Sequence, residues 1–324
     1  MAVINQQKTL FAQSAQKPPR ITVITPSLNQ GRFLDAAIRS VLDQNYPDLE
    51  YFIFDGGSTD ESLDIIRSHE SKLAGWTSEK DSGQSDAINK GFARATGRLV
   101  AWLNSDDFYL PGALAHAAAA YNQQPDASFF FGRCLRTDEA GRRQGEYVSA
   151  PRLLFNRDAL VYGLNFIAQP ATFINREYLL QVGPLNPALK WGMDTDLWLR
   201  LSAAAEPLAI DKLLAASREY AQTKTSSGSF TRVEELRRIA EEHSGVAMTP
   251  GAVCYFLDTF LRVVKENPEV FPPEYQGDIS RFWASTSALF ARWGAAADGT
   301  PLQSGAMKPQ TNVKGKMLKM LSVW

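Results

Sequence analysis

Cysteine is nearly missing from this chain: among 324 residues only Cys134 and Cys254 occur, 120 positions apart. Two such residues build neither a disulfide framework nor a thiolate zinc cluster. Histidine is as sparse, with three residues. His69 falls near a helix end, His116 in an alanine-rich helix and His243 in a charged one, and each reads as structural or merely exposed. Long hydrophobic runs are also lacking. No stretch approaches about 18 uninterrupted apolar residues, and the opening MAVINQQKTLFAQSAQKPPR has no apolar signal-peptide core. The expectation is a soluble cytoplasmic protein. Charge of one sign is lacking as well: 34 basic and 35 acidic side chains nearly cancel. No global field therefore gathers nucleic acid or anionic membrane. Finally, no G-x-G-x-x-G follows the first strand and no G-x-x-x-x-G-K-[ST] occurs, which argues against a Rossmann dehydrogenase or a P-loop NTPase.

What remains is an ordinary globular composition, 44% apolar and 21% charged, long enough for two domains without staples. Residues 1–19 are polar and end in Pro18-Pro19, a loose leader. The run Ile21–Thr25, stopped by Pro26, reads as a buried parallel strand. Phe33, Leu34, Ala37, Ile38, Val41 and Leu42 recur at helical spacing. Tyr51–Phe54 is a second strand, after which Ser58 and Glu61 have the spacing of a capping box. A helix-like stretch, 85–95, leads to a third apolar run, Leu99–Leu103. Alternating strands and helices imply an α/β fold with a mostly parallel sheet. Further on, Phe129–Gly132 and Ala171–Ile174 read as strands, 136–146 as an exposed hairpin or loop, and Leu197, Leu201, Ala204 and Ala205 mark a helix. Beyond residue 231 three helices are expected, over 231–244, 251–266 and 274–295, with Phe256, Phe260, Phe282, Trp283, Phe290 and Trp293 as packing residues.

In an open parallel sheet, ligands bind beyond the carboxyl ends of the strands. Three such ends carry polar signals: Thr25-Pro26-Ser27, Asp55-Gly56-Gly57 and Asn104-Ser105-Asp106-Asp107. A diphosphate bound without a glycine cradle needs its charge offset, and Asp106 and Asp107 are suited to a Mg²⁺ or Mn²⁺ ion bridging its oxygens. Both also read as solvated turn residues. Asp55 reads equally as an acceptor for a ribose hydroxyl or base N–H and as the start of a turn.

The segment ITVITPSLNQGRFLDAAIRSVLDQNYPDLEYFIFDGGSTDES resembles the opening of family 2 glycosyltransferases. SEKDSGQSDAINKGFARATGRLVAWLNSDD looks like that family's next block, and WGMDTDLWLRL is similar to its acceptor-side motif. The resemblance implies a GT-A type fold, a nucleotide-diphospho-sugar transferase sandwich with a mostly parallel central sheet, plus a helical C-terminal region. It places a transferase domain over 20–230, with a nucleotide-binding half at about 20–107 and an acceptor half at about 108–230. Helices follow over 231–300 and a basic tail over 301–324.

By the same resemblance Thr25, Pro26, Ser27 and Asp55 belong to the nucleoside pocket, and Asp86 and Asn89 to the block lining nucleotide and donor sugar. Asp106 matches the metal-ligating aspartate, Asp107 the neighbouring acid, and Asn104 stands where many members have Asp. Asp194 matches the catalytic base, an inverting mechanism being implied; locally it also reads as a helix cap. Asp196 would orient Arg200 and its neighbours. Trp191 reads equally as an acceptor-sugar platform and as core. Tyr220 occupies a possible His metal-ligand position, while Lys224, Thr225 and Ser226 would close over the diphosphate.

The implied activity is metal-dependent sugar transfer from a nucleotide-diphospho-sugar to a glycan, polysaccharide or lipid-linked acceptor. The alternative is a non-catalytic nucleotide-sugar-binding or scaffold protein. A sugar-activating nucleotidyltransferase is disfavoured by the missing Gly-rich loop. The tail from Val313 to Trp324, with its lysines, Met, Leu and Trp, reads as an interfacial helix for peripheral membrane contact or as a disordered or packing end.

Overall fold

The computed structural model describes residues 17–147, 153–224 and 228–267. The expected helix 274–295, its aromatic residues, the tail, most of the leader, Thr225 and Ser226 lie outside the described residues. The chain divides into two compact units, one of residues 1–155 and 167–227, the other of 156–166 and 228–324.

The first unit is built on a sheet of nine described strands. Its first half holds β1 (Ile21–Ser27), β2 (Leu49–Asp55), β3 (Gly75–Ser78) and β4 (Leu99–Trp102), all parallel in the order β3-β2-β1-β4. In β1, β2 and β4 the β-branched and aromatic residues are buried on both faces, as parallel strands between helix layers require. The helices are α1 (Gly31–Leu42), α2 (Ser62–His69) and α3 (Gln84–Arg94). Phe33, Leu34, Ala37, Ile38 and Val41 are the buried stripe of α1, following the spacing in the sequence.

Beyond β4 the sheet becomes mixed, with antiparallel pairs added to the expected α/β arrangement. β8 (Thr172–Asn175) pairs antiparallel with β4 and with β6 (Phe129–Thr137). β9 (Leu208–Arg218) runs parallel to β6, and the short β5 (Phe108–Tyr109) pairs antiparallel with β9. β7 (Arg143–Glu146) closes the expected hairpin with β6. α4 (Ala113–Gln123), α6 (Arg176–Val182) and α7 (Met193–Ala204) complete the unit.

Two local expectations are corrected. Ser58 does not cap α2. Its Oγ donates to Asp55 Oδ1 at 2.5 Å, and α2 starts at Ser62. Asp60 takes the capping task for two helices, accepting from Ser62 N at 3.0 Å and from Gly31 N at 2.9 Å. Glu61 instead lies over Gly31, where a Cβ would come within 2.6 Å of its side chain. Asp194 likewise is not a cap: Gly192 holds the N-cap position of α7 and Asp194 lies in the first turn.

The second unit contains α5 (Arg157–Val161), α8 (Phe230–Ser244) and α9 (Pro250–Glu266). Thr249 caps α9 by accepting from Ala252 N at 3.3 Å. Gly251 meets the Gly163 backbone so closely that an added Cβ would lie 2.2 Å from it. Among the described residues no helix is long and apolar enough to cross a membrane.

Candidate active site

The carboxyl ends of β1, β2 and β4 emerge side by side because β1 lies between the other two, in register with both. Ser27 pairs with Asp55 at this edge. The Asp55 carboxylate is buried and folds its own turn. It accepts from Gly57 N (3.1 Å), Ser58 N (2.9 Å), Ser58 Oγ (2.5 Å) and Ser78 Oγ (2.7 Å). The carboxylate thus holds its own turn, with three donors on Oδ2 and one on Oδ1. Thr25 is similarly used inside, its hydroxyl 2.9 Å from that of Tyr51. Pro26 is buried within β1. The buried Ser27 Oγ, by contrast, has no hydrogen-bond partner.

The β4 end carries the two acids. Asp107 is buried, and its carboxylate is held by Arg218 N at 3.1 Å and Asn104 Nδ2 at 3.2 Å. Burial, then the neighbouring Asp106, pushes its carboxyl above the usual range. Asp106 is half-buried and accepts from the Tyr220 hydroxyl at 2.9 Å. Burial raises it too, opposed by that hydrogen bond and by Arg218 and Arg32. The Tyr220 phenol is pushed up to about 12 by burial and by Asp106, so it is a neutral donor. Arg32 lies over the rings of Phe33 and Tyr220, and Arg218 over those of Phe33 and Phe108.

Asn104 is the hub between these acids and the rest of the site. Its Nδ2 also donates to Gln169 Oε1 at 3.0 Å, and its Oδ1 accepts from Gln84 Nε2 at 2.7 Å. Gln84 Oε1 in turn accepts from Lys224 Nζ at 2.8 Å. Lys224 Nζ approaches Met193 Sδ at 3.9 Å, one residue before Asp194. Asp194 itself keeps an opening to solvent, accepts from Thr195 N at 2.7 Å and is raised by burial against the pull of Thr195 and Lys224. Trp102 of β4 and Trp198 of α7 stack at 5.5 Å and 16°, with Phe129 against Trp198 at 5.2 Å. This buried column fixes the acid-bearing strand end and the Asp194 helix to one core.

The chain matches the description "Glycosyl transferase family 2" over residues 22–183, half its length. It belongs to glycosyltransferase family 2.

Among relatives of this glycosyltransferase, TuaG of Bacillus subtilis, assigned to teichuronic acid biosynthesis, is 33% identical over 187 residues, 56% of this chain and 72% of that one. A PGL/p-HBAD biosynthesis glycosyltransferase of Mycobacterium bovis is 31% identical over 186 residues, 56% and 69% of the two chains. S. aureus TarS 1-349, solved with UDP-GlcNAc, superposes with a TM-score of 0.56 at 18% identity, covering 87% of this chain and 82% of that. The mannosyltransferase PcManGT of Pyrobaculum calidifontis, solved with GDP-Man and Mn2+, gives 0.55 at 15%, covering 93% and 84%. These likenesses show a GT-A type fold, and the chain is an enzyme of the glycosyltransferase class.

In this glycosyltransferase the expected donor-side residues also make contacts within the protein. Asn89 Nδ2 donates to Leu185 O at 2.9 Å and its Oδ1 accepts from Leu185 N at 3.0 Å. Asp86 accepts from Ser82 N at 3.1 Å, which lowers its pKa, and lies 3.5 Å from Lys90. Asp196 does orient Arg200, at 2.8 Å, and Arg200 binds the carbonyls of Val182, Gly183 and Pro184. Trp191 is half-buried beneath the Lys190 ammonium, 4.9 Å from its ring centre. Gln84, Gln169, Ser78 and Arg218 were not singled out from the sequence. Gln84 opens the helix of the DAIN block, which was the signal available for it.

Among the described residues no three His, Cys, Asp or Glu side chains gather as a metal cluster. A hard divalent cation is commonly held by one or two carboxylates, with water and substrate phosphates completing its shell. The half-buried Asp106 carboxylate, raised by desolvation, fits such a shared ion.

Proposed function

We propose that this protein is an inverting, divalent-metal-dependent glycosyltransferase of cell-envelope glycan assembly, with residues 20–230 as its catalytic unit. It transfers a sugar from a nucleotide-diphospho-sugar to a hydroxyl of a glycan, polysaccharide or lipid-linked acceptor. The supporting observation is the unbroken hydrogen-bonded path Asp107–Asn104–Gln84–Lys224, which ties the β4 acids to the segment beside Asp194. The envelope assignment follows the relatives TuaG and the mycobacterial enzyme. TarS and PcManGT support a nucleotide-sugar donor, and PcManGT supports Mn²⁺.

In this reading the nucleoside lies against the ends of β1 and β2, where Thr25, Pro26, Ser27 and Asp55 stand. Asp106 would hold the cation, which when bound would supply positive charge against the leaving nucleoside diphosphate. Lys224 and Arg218 add fixed positive charge to the same pocket. Asp194 takes the proton of the acceptor hydroxyl as that oxygen attacks the anomeric carbon. Attack opposite the leaving group inverts the anomeric configuration in one displacement, so no covalent enzyme intermediate forms. A side-chain carboxylate suits this task, because burial has raised its basicity without closing it off.

The test is a screen of UDP-, GDP- and dTDP-sugars for nucleoside diphosphate release with Mn²⁺ or Mg²⁺ and envelope-glycan acceptors. Asp194→Asn should lose about 10²–10⁴-fold in kcat while still binding donor. Unchanged turnover in that variant, or full turnover in chelator, overturns the reading.

A further inference from the structure

We infer that Tyr220 is a positioning residue of the cation site: its hydroxyl fixes one oxygen of the Asp106 carboxylate and leaves the other for the metal. This rests on the reading of Asp106 as the residue that holds the cation. The Tyr220 hydroxyl donates to Asp106 Oδ2 at 2.9 Å. Among the described residues no other side chain hydrogen-bonds that carboxylate.

Tyr220 is buried and is itself held. Its ring packs against Phe33 at 5.3 Å, and the Arg32 guanidinium lies 5.0 Å from its centre. Its oxygen accepts from Gln30 Nε2 at 3.4 Å, which leaves the phenol proton to Asp106. Gln30, Arg32 and Phe33 stand together at the start of α1, so the hydroxyl reaches the acid from a packed mount.

The main chain beside that carboxylate is fixed from the same strand end. Arg218, two residues before Tyr220, donates from Nη1 to Asp106 O at 2.5 Å and from its backbone N to Asp107 Oδ1 at 3.1 Å. Phe108, the next residue along, pairs with Ala216 of β9. The end of β9 thus holds both the backbone and the side chain of the acid at the end of β4.

A carboxylate accepts on two oxygens, and a donor fixed on one of them stops the group from turning. Carboxylates that ligate metals are commonly hydrogen-bonded in this way, and losing the partner costs about 10–100-fold in metal affinity. Position 220 therefore serves the cation through a hydrogen bond, where the resemblance would put an imidazole ligand. The protein's contribution to the cation is then oxygen alone, a donor set that suits Mg²⁺ and Mn²⁺.

The experiment titrates Mn²⁺ into the full chain by electron paramagnetic resonance, with the cation alone and with UDP, GDP or dTDP, in wild type, Y220F and D106N. Y220F keeps the ring and its packing and removes only the hydroxyl. We expect Y220F to bind Mn²⁺ about 10–100-fold more weakly. Where a donor is turned over, the half-saturating Mn²⁺ should rise by the same factor while kcat at saturating Mn²⁺ is kept; a tyrosine that only packs would leave that half-saturation unmoved. Equal Mn²⁺ affinity in wild type and Y220F, with D106N losing it, overturns the inference and leaves the cation at Asp106. Equal affinity in all three proteins, or no binding in wild type, sinks the placement of the cation at Asp106 and the inference with it. A tyrosinate absorption band that appears with Mn²⁺ in wild type and not in Y220F would make Tyr220 a ligand and overturn its positioning role.

Discussion

Asn104→Asp is the sharpest perturbation of the site, because it restores the acid that many family members carry there. In this chain Asn104 donates to Asp107 at 3.2 Å and to Gln169 at 3.0 Å. An aspartate replaces both donor hydrogens with lone pairs facing acceptors. Burial and the neighbouring Asp106 already push the Asp107 carboxyl up to about 8, so it holds a proton at pH 5 and at pH 7 and can donate it to the new carboxylate. No further proton has to be taken up, and the loss is chiefly that of Gln169, whose oxygen is left without its donor, about 1–3 kcal/mol at both pH values. With urea slopes of about 1–3 kcal/mol/M, the midpoint should fall by up to about 1 M, to a similar extent at pH 5 and pH 7. An unchanged midpoint, or a loss several times larger at pH 7 than at pH 5, refutes this account of the contacts of Asn104.

Three further outcomes are expected. Ser27→Ala removes a fully buried hydroxyl with no hydrogen-bond partner, so stability should hold or rise by about 1 kcal/mol; a urea midpoint that falls instead would contradict an unbonded hydroxyl there. Gly91→Ala would place a Cβ 2.6 Å from the side chain of Ile24, and about 1–3 kcal/mol of overpacking should outweigh the roughly 1 kcal/mol gain in helix propensity; a raised urea midpoint would contradict the close α3–β1 contact. Burial raises the Asp194 carboxyl, so its proton comes off at a higher pH than in an ordinary aspartate. Turnover should therefore fall on acidification through a midpoint above about 4, and initial rates that hold to lower pH would contradict this.

The parallel half of the fold was legible because its strands are short, β-branched runs closed by Pro26, Asp55 and Asn104, with helical stripes between them. β9 was not. Leu208–Arg218 is rich in Leu and Ala and interrupted by Asp211 and Lys212, so it acquires strand form from its sheet partners, parallel β6 and antiparallel β5. β3 is four residues long and starts with glycine, too little for any pattern. The site divides the same way. Asp106 and Asp107 stand out as paired acids at the end of a buried strand, whereas Asp194 is marked by the resemblance of WGMDTDLWLRL to the family's acceptor-side motif. That Asp55 is consumed by its turn could not be read, since one of its donors, Ser78, arrives from β3, 23 residues further on. The capping-box spacing of Ser58 and Glu61 misled for a related reason. A buried carboxylate competes for the Ser58 hydroxyl more strongly than a helix end does.

The stacked indoles of Trp102 and Trp198 bear on how such a protein changes over generations. One ring is two residues from Asn104 and the other is one helical turn past Asp194, so the β4 end and the first turn of α7, the two sides of the proposed pocket, share a single rigid bearing. Loops around the rim can then be lengthened, shortened or recoloured to suit a new sugar or polymer while the spacing of the reactive groups stays put. Conversely, a substitution in that bearing alters the working distance for every substrate at once. Novelty in this scaffold should accumulate at the rim, and the indole pair should be the last place where it is tolerated.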